Sequence, residues 1–83
     1  MTGPRLTAEQ RRALEILADA DVSGVTEATM FAHGFPRAAL AILMRKGVVR
    51  ARRETVTAGG KAIEVYRVRI TTVGRNALAA KRS

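Results

Sequence analysis

Two adjacent glycines, Gly59 and Gly60, constrain this chain more than any other feature. They separate a pair of runs rich in β-branched residues and arginine. Ahead of them lies Val48-Val49-Arg50-Ala51-Arg52-Arg53, and after them Ile63-Glu64-Val65-Tyr66-Arg67-Val68-Arg69-Ile70. A two-residue hairpin loop in a primed turn needs positive φ at both central residues, which Gly-Gly supplies without steric cost. The hairpin is predicted over about 48–57 and 62–70, on that turn and that alternation.

The loop fixes which side chains share a face. With Gly59-Gly60 as the loop, Arg52 faces Arg67, Ala51 faces Val68, Arg50 faces Arg69 and Val49 faces Ile70. Val49, Ala51, Tyr66, Val68 and Ile70 then form the core face, and four arginines crowd the solvent face. A three-residue loop would set Arg52 opposite Val68 on the core face, which the cost of burying a charge forbids. A Gly60-Lys61 loop keeps the same faces but sets Glu54 against Arg67, so these two registers stay open. Like charges directly opposite destabilise a sheet. An anionic ligand over the arginines would relieve them, and so could Glu54 and Glu64.

The charge balance has the same lopsidedness. Fifteen Lys and Arg against seven Asp and Glu give a net +8. Residues 1–33 hold three basic and five acidic groups, and residues 34–83 hold twelve and two. A cationic half of this kind suits a polyanion, most often nucleic acid, with membrane surfaces and acidic proteins as other partners of the same charge. With 83 residues, the chain is expected to form one domain, 1–83. It has no cysteine, no signal-peptide core near Met1 and no run of 18 apolar residues, so a cytoplasmic location and no membrane partner are expected.

Upstream of the hairpin the pattern is helical. Thr7-Ala8-Glu9-Gln10 is a capping box opening a helix over about 8–20, with Ala13, Leu14, Ile16, Leu17 and Ala20 on its inner side. Asp21-Val22-Ser23-Gly24 breaks it. Thr26 caps a short second helix over about 27–33 that is expected to bury Met30 and Phe31, and Gly34 ends it. Phe35 plugs the turn. Pro36 takes the first position of a third helix over about 36–46, with Ala39, Leu40, Leu43 and Met44 inward and Gly47 as its stop. Its outward positions are Arg37, Ala38, Ala41, Ile42 and Arg45. Thr71 caps a last helix over about 72–80 that returns Val73, Ala77 and Leu78 to the core, and Lys81-Arg82-Ser83 is expected to fray.

An enzyme is not expected. One histidine and no cysteine allow neither a Ser/His/Asp nor a Cys/His set, and His33 reads as a helix-end residue. No cofactor, metal site or small-molecule ligand is expected. RNA is disfavoured because Tyr66 is predicted inward, leaving no exposed aromatic on which bases could stack.

Three stretches resemble the winged helix-turn-helix superfamily, and within it the DNA-binding core of repressors of the multiple-antibiotic-resistance type. They are the helix-glycine-valine junction from Leu43 to Arg50, the Gly59-Gly60 tip between basic strands, and Ile70-Thr71-Thr72-Val73-Gly74-Arg75-Asn76-Ala77-Leu78. The resemblance covers roughly 7–80. It implies an α+β fold with three N-terminal helices, a two-stranded hairpin wing and a short C-terminal helix. It also implies DNA binding in transcription regulation, with the third helix in the major groove and the wing on the backbone or minor groove. Candidate DNA contacts are Arg37, Arg45, Arg50, Arg52, Arg53, Lys61, Arg67 and Arg69. Direct readout of bases wants Arg, Lys, Asn or Gln, and the third helix offers only Arg37 and Arg45. The wing is therefore expected to carry the affinity. The alternative expectation is a protein-interaction or homodimerisation module, in which Ala38, Ala41 and Ile42 meet a partner and the basic wing docks on an acidic surface.

Overall fold

The fold is α+β, four helices on a three-stranded antiparallel sheet, in a computed structural model that describes residues 5–20 and 24–80. The expected break at Asp21-Val22-Ser23 and the expected fraying of Lys81-Arg82-Ser83 lie outside the described residues. Helix α1 spans Ala8–Asp19, strand β1 Val25–Thr26, helix α2 Glu27–Ala32 and helix α3 Arg37–Arg45. Strands β2 (Val49–Ala58) and β3 (Lys61–Ile70) follow, and helix α4 (Thr72–Ala80) completes the described chain.

The helix starts are set by threonine side chains. In the capping box Thr7 Oγ1 accepts from the Gln10 amide while Gln10 Oε1 accepts from the Thr7 amide, both at 3.0 Å. Thr26 Oγ1 accepts from the Thr29 amide at 3.2 Å, and Thr71 Oγ1 from the Gly74 amide at 3.0 Å. Pro36 differs from the sequence reading by one position. It is the N-cap of α3, with extended backbone (φ −71, ψ 170), and its carbonyl accepts from the Leu40 amide.

Helix α3 ends by turning its next apolar residue into the core. At Gly47 (φ 76) the amide donates to Met44 O, and the Val48 amide donates to Leu43 O. These two bonds make a Schellman motif, which needs a residue in the left-handed region at the glycine position. The residue after it, Val48, is completely buried. Helix α2 ends the same way at Gly34, and the residue after it, Phe35, is 1% exposed. Arg12 lies over the Phe35 ring with its guanidinium carbon 5.0 Å from the centroid.

The sheet order is β1-β3-β2. The sequence reading has two strands; the third is β1, which pairs Val25 with Val68 and Thr26 with Arg67. Between β2 and β3 the ladder runs from Val49↔Ile70 to Ala58↔Lys61, so Gly59-Gly60 is the loop and the Gly60-Lys61 register is excluded. Both loop glycines have positive φ, 59 and 80, as a primed turn requires.

Ala13, Leu14, Leu17, Met30, Phe35, Leu40, Leu43, Val48, Val49, Val68 and Ala77 form the core. Four residues read as inward are exposed instead: Phe31, Met44, Tyr66 and Val73. Phe31 and Met44 each sit one residue past a buried neighbour, Met30 and Leu43, and so about 100° round the helix from the core. Val73 is turned out because its neighbour Gly74 is pressed inward. A Cβ on Gly74 would collide with Val48 O and stand 2.7 Å from Ile70 Cγ1. Tyr66 is on the core face, but it lies two residues, about 7 Å, beyond the covered Val68.

The Gly74 contact yields a direct prediction. Gly74→Ala adds helix propensity yet should destabilise the protein by about 1–3 kcal/mol, because a backbone carbonyl cannot yield as a side chain would. Urea denaturation of the two proteins checks this; equal midpoints would show that α4 shifts at no cost.

Candidate nucleic-acid interface

The hairpin has two unlike faces, because side chains alternate along each strand. The ladder places the cross-strand pairs Arg50/Arg69, Arg52/Arg67, Glu54/Val65, Val56/Ile63 and Ala58/Lys61 on one face, outward from the body. None of these residues belongs to the core. The opposite face carries Val49, Ala51, Arg53, Thr55 and Thr57 on β2 and Ala62, Glu64, Tyr66, Val68 and Ile70 on β3. This inner face meets the helices near the body and runs bare beyond Tyr66.

The four arginines expected on one face are there, as two directly opposed pairs. Glu54 is the one carboxylate in the outer row. Arg67 Nε donates to Glu54 Oε1 at 2.6 Å, a charge-assisted bond between diagonal neighbours. Arg50 and Arg52 have no carboxylate within ion-pair distance among the described residues. The outer face thus grades from arginines near the body to an apolar patch of Val56, Ile63 and Val65, with Lys61 at the tip.

The other candidate cations lie elsewhere. Arg53 is on the inner face, directly across from Tyr66, and its Nε stands 3.9 Å from Glu64 Oε2. Both side chains are well exposed, so this pair holds Arg53 only weakly. Arg37, in the first turn of α3, donates to Glu27 Oε1 at 3.2 Å. That bond explains why a cation is tolerated at the start of a helix, where the dipole disfavours it. Arg45 is exposed in the last turn of α3. Lys46 is fastened structurally: its Nζ donates to Arg5 O at 2.6 Å and to Gln10 Oε1 at 2.9 Å.

Between α3 and the inner face lies an open cleft of about 330 Å³. Leu40, Ala41 and Met44 form its helical wall, Ala51 and Tyr66 its strand wall, and the Glu27–Arg37 pair stands in its lining. Helix α3 therefore faces the side of the hairpin opposite to the four arginines. Sequence reasoning missed this cleft, since neither the exposure of Tyr66 nor that of Met44 follows from periodicity.

Among the described residues no helix is long and apolar enough to cross a membrane, and no group of three His, Asp or Glu side chains could hold a metal ion. Comparison with family models, curated proteins and solved structures found no match to this chain.

The single carboxylate of the outer row has a measurable role. Glu54→Ala removes the carboxylate that pairs with Arg67 in a row of four arginines and should destabilise the protein by about 0.5–1 kcal/mol at low ionic strength. Added salt screens the repulsion, so the gap to wild type should narrow towards 1 M salt, where the screening length falls to about 3 Å. Thermal melts at low and high salt read this out. A gap that salt does not change would mean that repulsion on this face contributes nothing.

Proposed function

We propose that this protein is a small winged-helix DNA-binding module that grips the sugar-phosphate backbone through the outer face of its hairpin. The order of helices and strands supports the winged-helix reading, with α3 in the place of the recognition helix and the β2–β3 hairpin as the wing. One observation carries the functional reading. Two arginine pairs sit directly cross-strand on a face with no core to bury, in a row whose one carboxylate among the ladder residues, Glu54, pairs with Arg67. Such a face loses repulsion when phosphates come onto it, and each neutralised phosphate also releases counterions.

The wing supplies the affinity in this reading. Arg50, Arg52, Arg67, Arg69 and Lys61 share the outer face. Arg37 lines the cleft on the other side. The outward side of α3 presents Ala38 and Ile42 beside Arg45, a poor set of groups for reading base edges. Binding is accordingly tolerant of sequence and governed by charge, as in phosphate-dominated recognition.

The exposed Ile42, 42% accessible, favours a second reading, a module that meets another protein through α3. Concentration-dependent dimerisation in sedimentation, lost in Ile42→Glu and kept in Arg52→Ala, would support it over the first.

For the DNA reading, anisotropy titrations of a mixed-sequence duplex at several salt concentrations are decisive. About four to five neutralised phosphates give a log–log slope near −4. Arg50→Ala with Arg52→Ala should make that slope shallower by about 2, while Arg37→Ala leaves it unchanged. A slope near zero, or no binding at low salt, would remove the proposal.

A further inference from the structure

We infer that the cleft between α3 and the hairpin is a stacking site for an unpaired nucleobase, and that the protein holds single-stranded nucleic acid in a mode closed to duplex. This rests on the nucleic-acid reading above and extends it to a second surface. Tyr66, 42% exposed, is one of the cleft's lining residues, and Met44, 45% exposed, stands in the opposite wall. An aromatic face and a polarisable thioether across an open slot fit a flat ring of either purine or pyrimidine type. The Glu27–Arg37 pair in the same lining offers one acceptor and further guanidinium donors to a base edge, the groups that read exocyclic amines and ring nitrogens.

The edge strand explains how a backbone would reach this slot. In the order β1-β3-β2, the outer side of β2 has no neighbouring strand among the described residues, and consecutive residues Arg52 and Arg53 point to opposite faces across that edge. A flexible strand can therefore leave the outer arginines, cross β2 between Arg52 and Arg53, and drop a base beside Tyr66, which is directly opposite Arg53. A duplex, with a persistence length of about 50 nm, cannot bend round an edge one strand thick. It stays on the outer face.

The test uses a short fluorescein-labelled single strand of mixed sequence, the matching duplex, and a free mononucleotide as competitor. The chain has one tyrosine and no tryptophan, so intrinsic emission reports on Tyr66 alone. Single-strand binding should quench it and duplex binding should not. Tyr66→Ala should weaken the single strand about 5- to 100-fold and leave duplex affinity unchanged, whereas Tyr66→Phe, which keeps the ring, should bind both as wild type does. Circular dichroism of both variants verifies that the fold survives, as the exposure of Tyr66 leads one to expect. Equal loss of both ligands in Tyr66→Ala, or no loss of either, overturns the stacking site while leaving the outer-face reading intact. A mononucleotide that binds as tightly as the strand overturns the strand route in favour of a free-nucleotide pocket. A wild-type protein that binds neither strand nor duplex at low salt overturns both proposals.

Discussion

The carbonyls of Gly47 and Val48 are where the molecule's layers are joined. Val48 O accepts from the Thr71 amide at 3.0 Å, and Gly47 O accepts from the Thr71 hydroxyl at 2.7 Å. The same hydroxyl accepts from the Gly74 amide, and Gly74 packs its bare Cα side against Val48 O. One threonine thus binds the end of α3, the start of β2, the end of β3 and the start of α4. The first rung of the ladder, Val49↔Ile70, follows immediately from this joint. Every later rung inherits its register, because a slip by one residue would exchange the two faces of a strand. That the arginines face outward is a consequence of backbone bonds made two residues earlier.

The hairpin was legible in the sequence because two independent demands agreed. Gly59-Gly60 called for a primed turn, and burying Arg52 would have been too costly under the three-residue alternative. The capping threonines were legible for a similar reason, since each cap is a local bond between residues three apart. Strand β1 was not, because two residues carry no alternation and only the neighbouring β3 makes them a strand. Periodicity also marked Met44 and Tyr66 as inward without revealing where the covering layer stops. Apolar spacing tells which way a side chain faces; whether anything stands opposite is a tertiary fact. The relation between α3 and the arginines was hidden for this reason too, as it depends on which side of the sheet the helix covers.

The arginines of β2 have a structural use besides any ligand. An edge strand with free N–H and C=O groups is a template for pairing with another chain, and charged side chains along it discourage such pairing. Arg50, Arg52 and Arg53 lie on the unpaired edge of a ten-residue strand. Phosphate binding and edge protection are compatible, since both rest on a concentration of like charge that core packing does not need. The two uses diverge at Tyr66, which edge protection leaves without a role.

The hairpin also separates the chain into regions that can change under different rules. From Thr55 to Glu64 no residue belongs to the core, and the molecule measures 50 Å along its long axis against 21 and 20 Å across. Residues gained or lost near the tip alter reach alone, provided that each strand changes by an even number. The arginines then keep their face and the joint at Thr71 keeps its partners. An odd change in both strands beyond the Glu54/Val65 pair would turn over only the far end, swapping Val56 and Ile63 for Thr57 and Ala62 on the outer side. The length of the arm and the character of its tip can thus change without disturbing the fold, while the base of the arm is fixed by the body that it grows from.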